Sequence, residues 1–477
     1  MNAIWYKGRI ALRLKELFSA KDMTQGPAWK RIMEFTIPMV IGNIAQQLYN
    51  TADSVIVGEY VGDNALAAVG SAMPVLNLLL ALFVGVSTGA GIVVSQHFGA
   101  KDRKGLSVAI GNCMSLALFA TVLIMLLGPL LTRPFLVMLE TPESILDWCV
   151  DYLNIYFWGI IGFFFYNMLS GILRGMGDSI TALLFLLVAA GLNVGLDLLF
   201  VAVFDMGVPG VSLATVIAQA ISALLCWWRL AKMRNVFDLK LKYLKLVPEV
   251  AWRIIKIGVP SGITQAVMAA AGMMVQRLTN SLGEMVIAAN VIVMRVDGFA
   301  MMPNFSFGQA LSVFTGQNVG AGKLDRVKQG LKQGLIMAVG VSTALTALIL
   351  CFNRYLFDIF TDTPELIDLA VQMMAILAVG YICMSVTQVL GGVMRGAGDT
   401  MTPMWLSMNQ TIVLRVAAAY LLVWFTKSAE YPKGHPLLLP VSLLISWSMG
   451  MVVSAIVFGM GKWKKKMVET AALHAES

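Results

Sequence analysis

Charge is scarce in this chain. Only 13% of its 477 residues are Asp, Glu, Lys or Arg, about half the ~25% of a soluble domain. With 58% hydrophobic residues and a mean hydropathy of +0.77, a soluble globular protein is excluded. Cysteine is sparse as well. Cys113, Cys149, Cys226, Cys351 and Cys383 are scattered, without metal-ligand spacing, so packing is their expected role. His97, His435 and His474 are the only three histidines. No nucleophile–base pair, metal cluster or phosphate loop is visible, and Gly175-Met176-Gly177 is too short for a dinucleotide fingerprint. The chain is therefore expected to hold no cofactor or metal and not to be an enzyme. Apolar stretches run long and do not alternate, which excludes a β-barrel.

What the chain has in abundance is repetition. Arg174-Gly175-Met176-Gly177-Asp178 returns as Arg395-Gly396-Ala397-Gly398-Asp399. Thr141-Pro142-Glu143 returns as Thr363-Pro364-Glu365, Gly99-Ala100 as Gly320-Ala321, and Pro38 has a counterpart in Pro260. A repeat this long is a duplicated domain, since solenoid units recur every ~20–50 residues. The duplicated object is apolar, hence a membrane bundle. Two similar bundles rocking about a shared site are a common transporter design.

Spanning helices need about 20 mostly apolar residues. Twelve are predicted, near 32–57, 65–97, 106–131, 148–173, 179–204, 209–230, 254–281, 286–318, 331–352, 367–394, 400–425 and 438–460. Charge placement supports the count. With the N-terminus inside, the inner segments hold 28 of the 35 Lys and Arg residues, as the positive-inside rule requires. The outer loops hold Arg133, Arg354, Lys427 and Lys433. The net charge of +8 is thus dispersed among short loops, unlike the footprint of a nucleic-acid binder. The expected fold is all-α: two six-helix lobes related as parallel repeats, with both termini cytoplasmic. The expected divisions are a cytoplasmic N-terminal segment (1–30), an N-lobe (31–231), a cytoplasmic linker (232–252), a C-lobe (253–461) and a basic tail (462–477). The first thirty residues lack the apolar core of a cleavable signal peptide. Ile10, Leu14, Leu17 and Phe18 at helical spacing fit an interfacial helix there, with a frayed tail as the alternative.

Polar residues inside the spans are costly and point to function. Asn43, Gln46, Asn50 and Asp53 line one face of helix 1. Pro38, one turn before, removes a backbone hydrogen bond and makes a bending point. Helix 5 carries Asn193 and Asp197 at i, i+4, and helix 6 carries Thr215. Two carboxylates in a dry site share a proton more readily than either holds one in water. That is the property a proton carrier needs. The second half differs: Arg277, Arg295 and Arg415 accompany a single acid, Asp297, for which Arg415 is the expected ion-pair partner. Met268 and Met294 are among 31 methionines, whose adaptable side chains suit a promiscuous cavity. Asn50, Met268, Met294, Arg295, Asp297 and Arg415 are candidate cavity residues.

These residues resemble the multidrug and toxic compound extrusion (MATE) family. The likeness rests on Gln46-Gln47-Leu48-Tyr49-Asn50-Thr51-Ala52-Asp53, the Gly-Ala-Lys-Asp turn, Leu173 to Asp178, and Leu192-Asn193-Val194-Gly195-Leu196-Asp197. It covers nearly the whole chain and points to the DinF-like branch. The resemblance implies a V-shaped pair of lobes and a cation-coupled exporter. It implies a coupling cluster of Gln46, Asp53, Tyr152, Asn193, Asp197 and Thr215, with Ser170 where some relatives carry Asn. The NorM-like acids of helices 7 and 10 are missing. The expected function is proton-coupled, or sodium-coupled, export of small drug-like compounds across the cytoplasmic membrane, by a monomer in contact with lipid. Two other readings stay open: a lipid-linked precursor flippase and a membrane-embedded transferase.

Overall fold

The structure is a computed structural model, and it describes residues 20–139, 141–427 and 434–475. The suggested interfacial helix at Ile10–Phe18 lies outside those residues. Each of the twelve predicted spans has its helix: α1 (Ala28–Tyr60), α2 (Asp63–Ala100), α3 (Arg103–Met138), the pair α4 (Glu143–Trp158) and α5 (Ile160–Gly175), α6 (Ser179–Asp197), α7 (Gly207–Lys232), α8 (Pro248–Ser281), α9 (Glu284–Gly320), α10 (Leu324–Asp358), α11 (Pro364–Gly396), the stretch of α12 (Met401–Met408) and α13 (Ala417–Phe425), and α14 (Leu438–Gly459). Among the described residues, ten helices are long and apolar enough to cross a membrane, and the bent pair α4–α5 makes eleven. Helix α1, 33 residues long, is the twelfth. Its polar stripe makes it less apolar than a purely lipid-facing span.

The fourth span is broken by 54° at Gly159, which the apolar pattern does not foreshadow. A Cβ at Gly159 would strike the Val216 side chain, so glycine lets α7 press into the bend. The basic tail is also more than a tail. It forms α15 (Lys462–Ala475), with Trp463, Met467 and Thr470 buried at helical spacing, and the Thr470 hydroxyl donates to the Ala397 carbonyl at 3.3 Å.

Two compact units are resolved. One comprises Ile37–Gly262 with residues 20–25; the other comprises Ile263–Ala475 with Gly26–Thr36. The division crosses α1 beside Pro38 and α8 beside Pro260, the duplicated prolines.

The repeated sequence motifs explain matching structure in each unit. In the first, Gly171 and Gly175 of α5 lie against the Ser87 and Gly91 carbonyls of α2; in the second, Gly392 and Gly396 of α11 lie against the Gly308 and Ser312 carbonyls of α9. A side chain at any of the four would push the helices apart, which is how small residues drive packing in lipid. The motif ends in a turn with Gly177 at φ +82° and Gly398 at φ +93°, a conformation that excludes most L-residues. Asp178 and Asp399 then cap the next helix, accepting from the Thr181 and Thr402 amides at 3.1 Å. Exposed ion pairs are duplicated too, Arg133–Asp147 at 3.6 Å and Arg354–Asp368 at 2.9 Å. Exposed pairs of this kind stabilise little.

Asp178 has a second role. It is buried, with a side chain 1% exposed, and accepts from Arg229 Nη2 at 2.8 Å and Nε at 3.1 Å. Asp178→Ala should lose a helix cap and the Arg229 contacts at 2.8 and 3.1 Å. The expected cost is about 2–4 kcal/mol, seen as a lower melting temperature and a smaller yield of monodisperse protein.

The stretch between α7 and α8 is strapped along α3. Arg103 donates to the Arg234 carbonyl at 2.7 Å and to Asp238 at 2.8 Å, Ser107 accepts from the Asp238 amide, and Asn112 accepts from the Val247 amide. The hydrogen bond from Arg103 holds the Asp238 carboxyl below its usual range. This linker is therefore an ordered surface element of the first unit.

Candidate functional site

Helices α1, α4, α6 and α7 bring one polar cluster together inside the first unit. Asp53 and Asp197 are 7% and 0% exposed. Asp53 does not reach toward the membrane surface, as its place near the end of α1 had allowed. Its carboxyl group meets that of Asp197 within hydrogen-bonding reach. Asn193, one turn before Asp197, is fully buried. With its amide oriented to satisfy both neighbours, it donates to Asp197 Oδ2 at 2.8 Å and accepts from the Thr215 amide at 3.2 Å. One oxygen of each carboxyl, Oδ1, has no hydrogen-bond partner among the described residues. Two carboxylates cannot both stay ionised at such contact without a cation between them. A shared proton or a bound cation is what this geometry accommodates.

Local structure aims these groups. Helix α6 passes at Asp197 into a wider π-helical turn, Leu198–Val203, a distortion that recurs at functional sites. Tyr152 of α4 is buried and within electrostatic reach of both acids. The Ser212 hydroxyl of α7 donates to its carbonyl at 2.9 Å, which ties α4 to α7. Tyr49 and Tyr156 complete the aromatic wall: Tyr49 lies beside the Thr215 hydroxyl, and Tyr156 stacks on Tyr152 at 6.4 Å. Neither tyrosine was singled out in the sequence. Tyr49 sits four residues before Asp53 on the same helical face, a signal that the search for amides and acids passed over.

Other candidates fall elsewhere. Gln46 donates to Asn50 at 3.3 Å in an exposed pair, and no bond joins either to the carboxyls. Ser170 bonds its own helix, donating to the Asn167 carbonyl at 3.1 Å. Arg277 and Arg295 are exposed. The expected Asp297–Arg415 ion pair is absent, with no contact within 4.0 Å among the ion pairs of the described residues. Asp297 lies beside the Tyr381 hydroxyl of α11 instead, a neighbour that a search for opposite charges could not find. Met294 and Arg415 line one cavity in the second unit; Met268, Arg295 and Asp297 are not among its lining residues. A larger cavity in the first unit, about 460 Å³, is walled by Met114, Phe165, Leu169, Leu224 and Trp227. Its wall is almost wholly apolar, and neither carboxyl lines it.

With a duplicated bundle and a buried acid pair in place, comparison with known proteins is decisive. The MatE family model matches the chain twice, over residues 38–199 and 260–421. The chain belongs to the MatE family. It is a multi-pass membrane transporter and not an enzyme, and the two matches coincide with the duplication read from Pro38 and Pro260. Among curated proteins it is similar to the probable multidrug resistance proteins YpnP and YoeA of Bacillus subtilis (strain 168). YpnP is 29% identical, covering 93% of this chain and 98% of that protein; YoeA is 27% identical, covering 92% and 95%. Among solved structures it resembles an outward-facing multidrug resistance MATE family transporter of the MOP superfamily. The TM-score is 0.85 at 24% identity, covering 93% of this chain and 98% of the other.

Proposed function

We propose that this MatE protein exports small amphipathic or cationic drug-like compounds in exchange for protons, by alternating access. The observation that carries the reading is the contact between the Asp53 and Asp197 carboxyl groups in a buried site. Facing outward, the pair takes up a proton; protonation relaxes α1 and releases substrate. Facing inward, the proton leaves and substrate binds again. Sodium is the second candidate for the transported cation. The carboxyl–carboxyl contact favours a proton, because a shared hydrogen bond needs one and no further ligand. The multidrug names of YpnP and YoeA support the substrate class. Charge placement supports a cytoplasmic membrane location with both termini inside. Dye transport into proteoliposomes under an imposed proton gradient, and separately a sodium gradient, tests the proposal. Flux driven by sodium alone would assign the site to that ion.

Pro38 is the proposed bending point of α1, which runs as one helix from Ala28 to Tyr60 and is divided next to this proline, its first residues belonging to one compact unit and the rest to the other. Pro38→Ala restores one backbone hydrogen bond, about 1 kcal/mol. Turnover should slow by about fivefold, with substrate affinity little changed. Affinity and transport rate measured on one preparation check this; a weaker affinity at unchanged maximal rate contradicts the bending role.

Coupling is proposed to belong to the first unit alone. Asp297→Asn should lower the melting temperature, since the buried Asp297–Tyr381 contact changes, by about 1 kcal/mol of stability. Transport per folded molecule should still depend on the proton gradient. Flux normalised to monodisperse protein reads the outcome.

A further inference from the structure

We propose that the second unit holds a site for a small monovalent anion, built on Arg415, close to the repeat position where the first unit holds its acid pair. The two family matches are displaced by 222 residues, from 38 to 260 and from 199 to 421. That displacement sets Asp53 opposite Val275, and the 221-residue offset of the nearer Asp178 and Asp399 motif sets Arg415 one residue past the position opposite Asn193. Both Arg415 and Val275 line one cavity of about 70 Å³ in the second unit. Met373 and Leu439, also in its wall, lie within two positions of the residues opposite Tyr152 and Thr215. The second unit thus carries a guanidinium near the repeat position of the first unit's acid pair.

The polar lining consists of Arg415, Asn290, Gln276 and Thr279. Two of these are committed: Gln276 donates to Asn280 at 2.8 Å and Thr279 to the Val275 carbonyl at 2.9 Å. No hydrogen bond or ion pair joins Arg415 or Asn290 to a described residue. The unused groups include the Arg415 guanidinium and the Asn290 amide N–H, which are donors. No carboxylate lines the cavity; Asp297, which feels the Arg415 charge, is held outside the wall beside Tyr381. A partly buried guanidinium without a direct ion-pair partner is costly, and an anion in contact with it relieves that cost. The space fits about two waters at ~30 Å³ each, the size of a halide or of one carboxylate group. Arg415 lies in a π-helical turn, Asn409–Val416.

Two sources share this chemistry: free halide, and the carboxylate of a zwitterionic substrate. The test uses purified full-length protein in detergent with isethionate as the only anion. Chloride or acetate is then titrated at fixed ionic strength while the melting temperature is followed. Wild type should show a saturable rise, and Arg415→Gln should show none. Should Arg415→Gln fail to fold, Asn290→Leu keeps the guanidinium and should raise the half-saturating concentration several-fold. A carboxylate-bearing amphipathic amine that competes with chloride, where its methyl ester does not, assigns the site to substrate. Chloride protection that neither compound affects assigns it to free halide. Absence of a saturable rise in wild type, or the same rise in Arg415→Gln, overturns the proposal. Because the readout is binding, it stands or falls separately from proton coupling.

Discussion

Asp197→Asn should abolish proton-driven transport while leaving the protein folded and inserted. Asp197 is fully buried, meets Asp53, and accepts a hydrogen bond from Asn193 at 2.8 Å. Asparagine keeps the volume and can still sit between Asn193 and Asp53, so packing of α6 against α7 should survive. What it removes is the proton-binding oxygen. Coupling between cation and substrate is typically worth about 1–3 kcal/mol, or 5–150-fold, and this substitution should erase it. Drug flux under a proton gradient should fall to the level without one. Wild-type rates from a well-folded Asp197→Asn protein would remove the residue from the coupling site.

Asp53→Asn should have an effect of the same size. Its position near the end of α1 suggested a milder one, since a carboxylate there could reach the interface. The structure places it against Asp197 with 7% exposure, and a proton held between two groups is lost when either is neutralised for good. The same flux assay should give a loss of about 5–150-fold. The double variant should be no worse than either single one, because groups that act as a unit are not additive. Unchanged pH dependence in Asp53→Asn would leave Asp197 as sole carrier.

The spans, their number and the duplication were legible in the sequence because bilayer thickness fixes helix length and the repeated Gly-Asp turn needs a positive φ. The acid pair was legible in part. Asp53, Asn193 and Asp197 stand out as polar groups in apolar surroundings, and the family resemblance added Tyr152. Tyr49 and Tyr156 were not legible, since tyrosine in a spanning helix reads as apolar filler. The break at Gly159 depends on Val216, which is 57 residues away in sequence. The Asp297–Arg415 pairing failed for a related reason. Opposite charge in the same lobe says nothing of which helical face each occupies, and Arg415 turns to a cavity that its π-helical turn helps to shape.

The most direct test of the central claim is proton release on substrate binding. Purified protein in weakly buffered detergent solution, mixed with a saturating dye substrate, is followed with a pH indicator. Exchange at a shared carboxyl pair predicts release of about one proton per molecule from wild type and none from Asp53→Asn or Asp197→Asn. Substrate binding to wild type without proton release, or the same release from Asp197→Asn, would contradict the account.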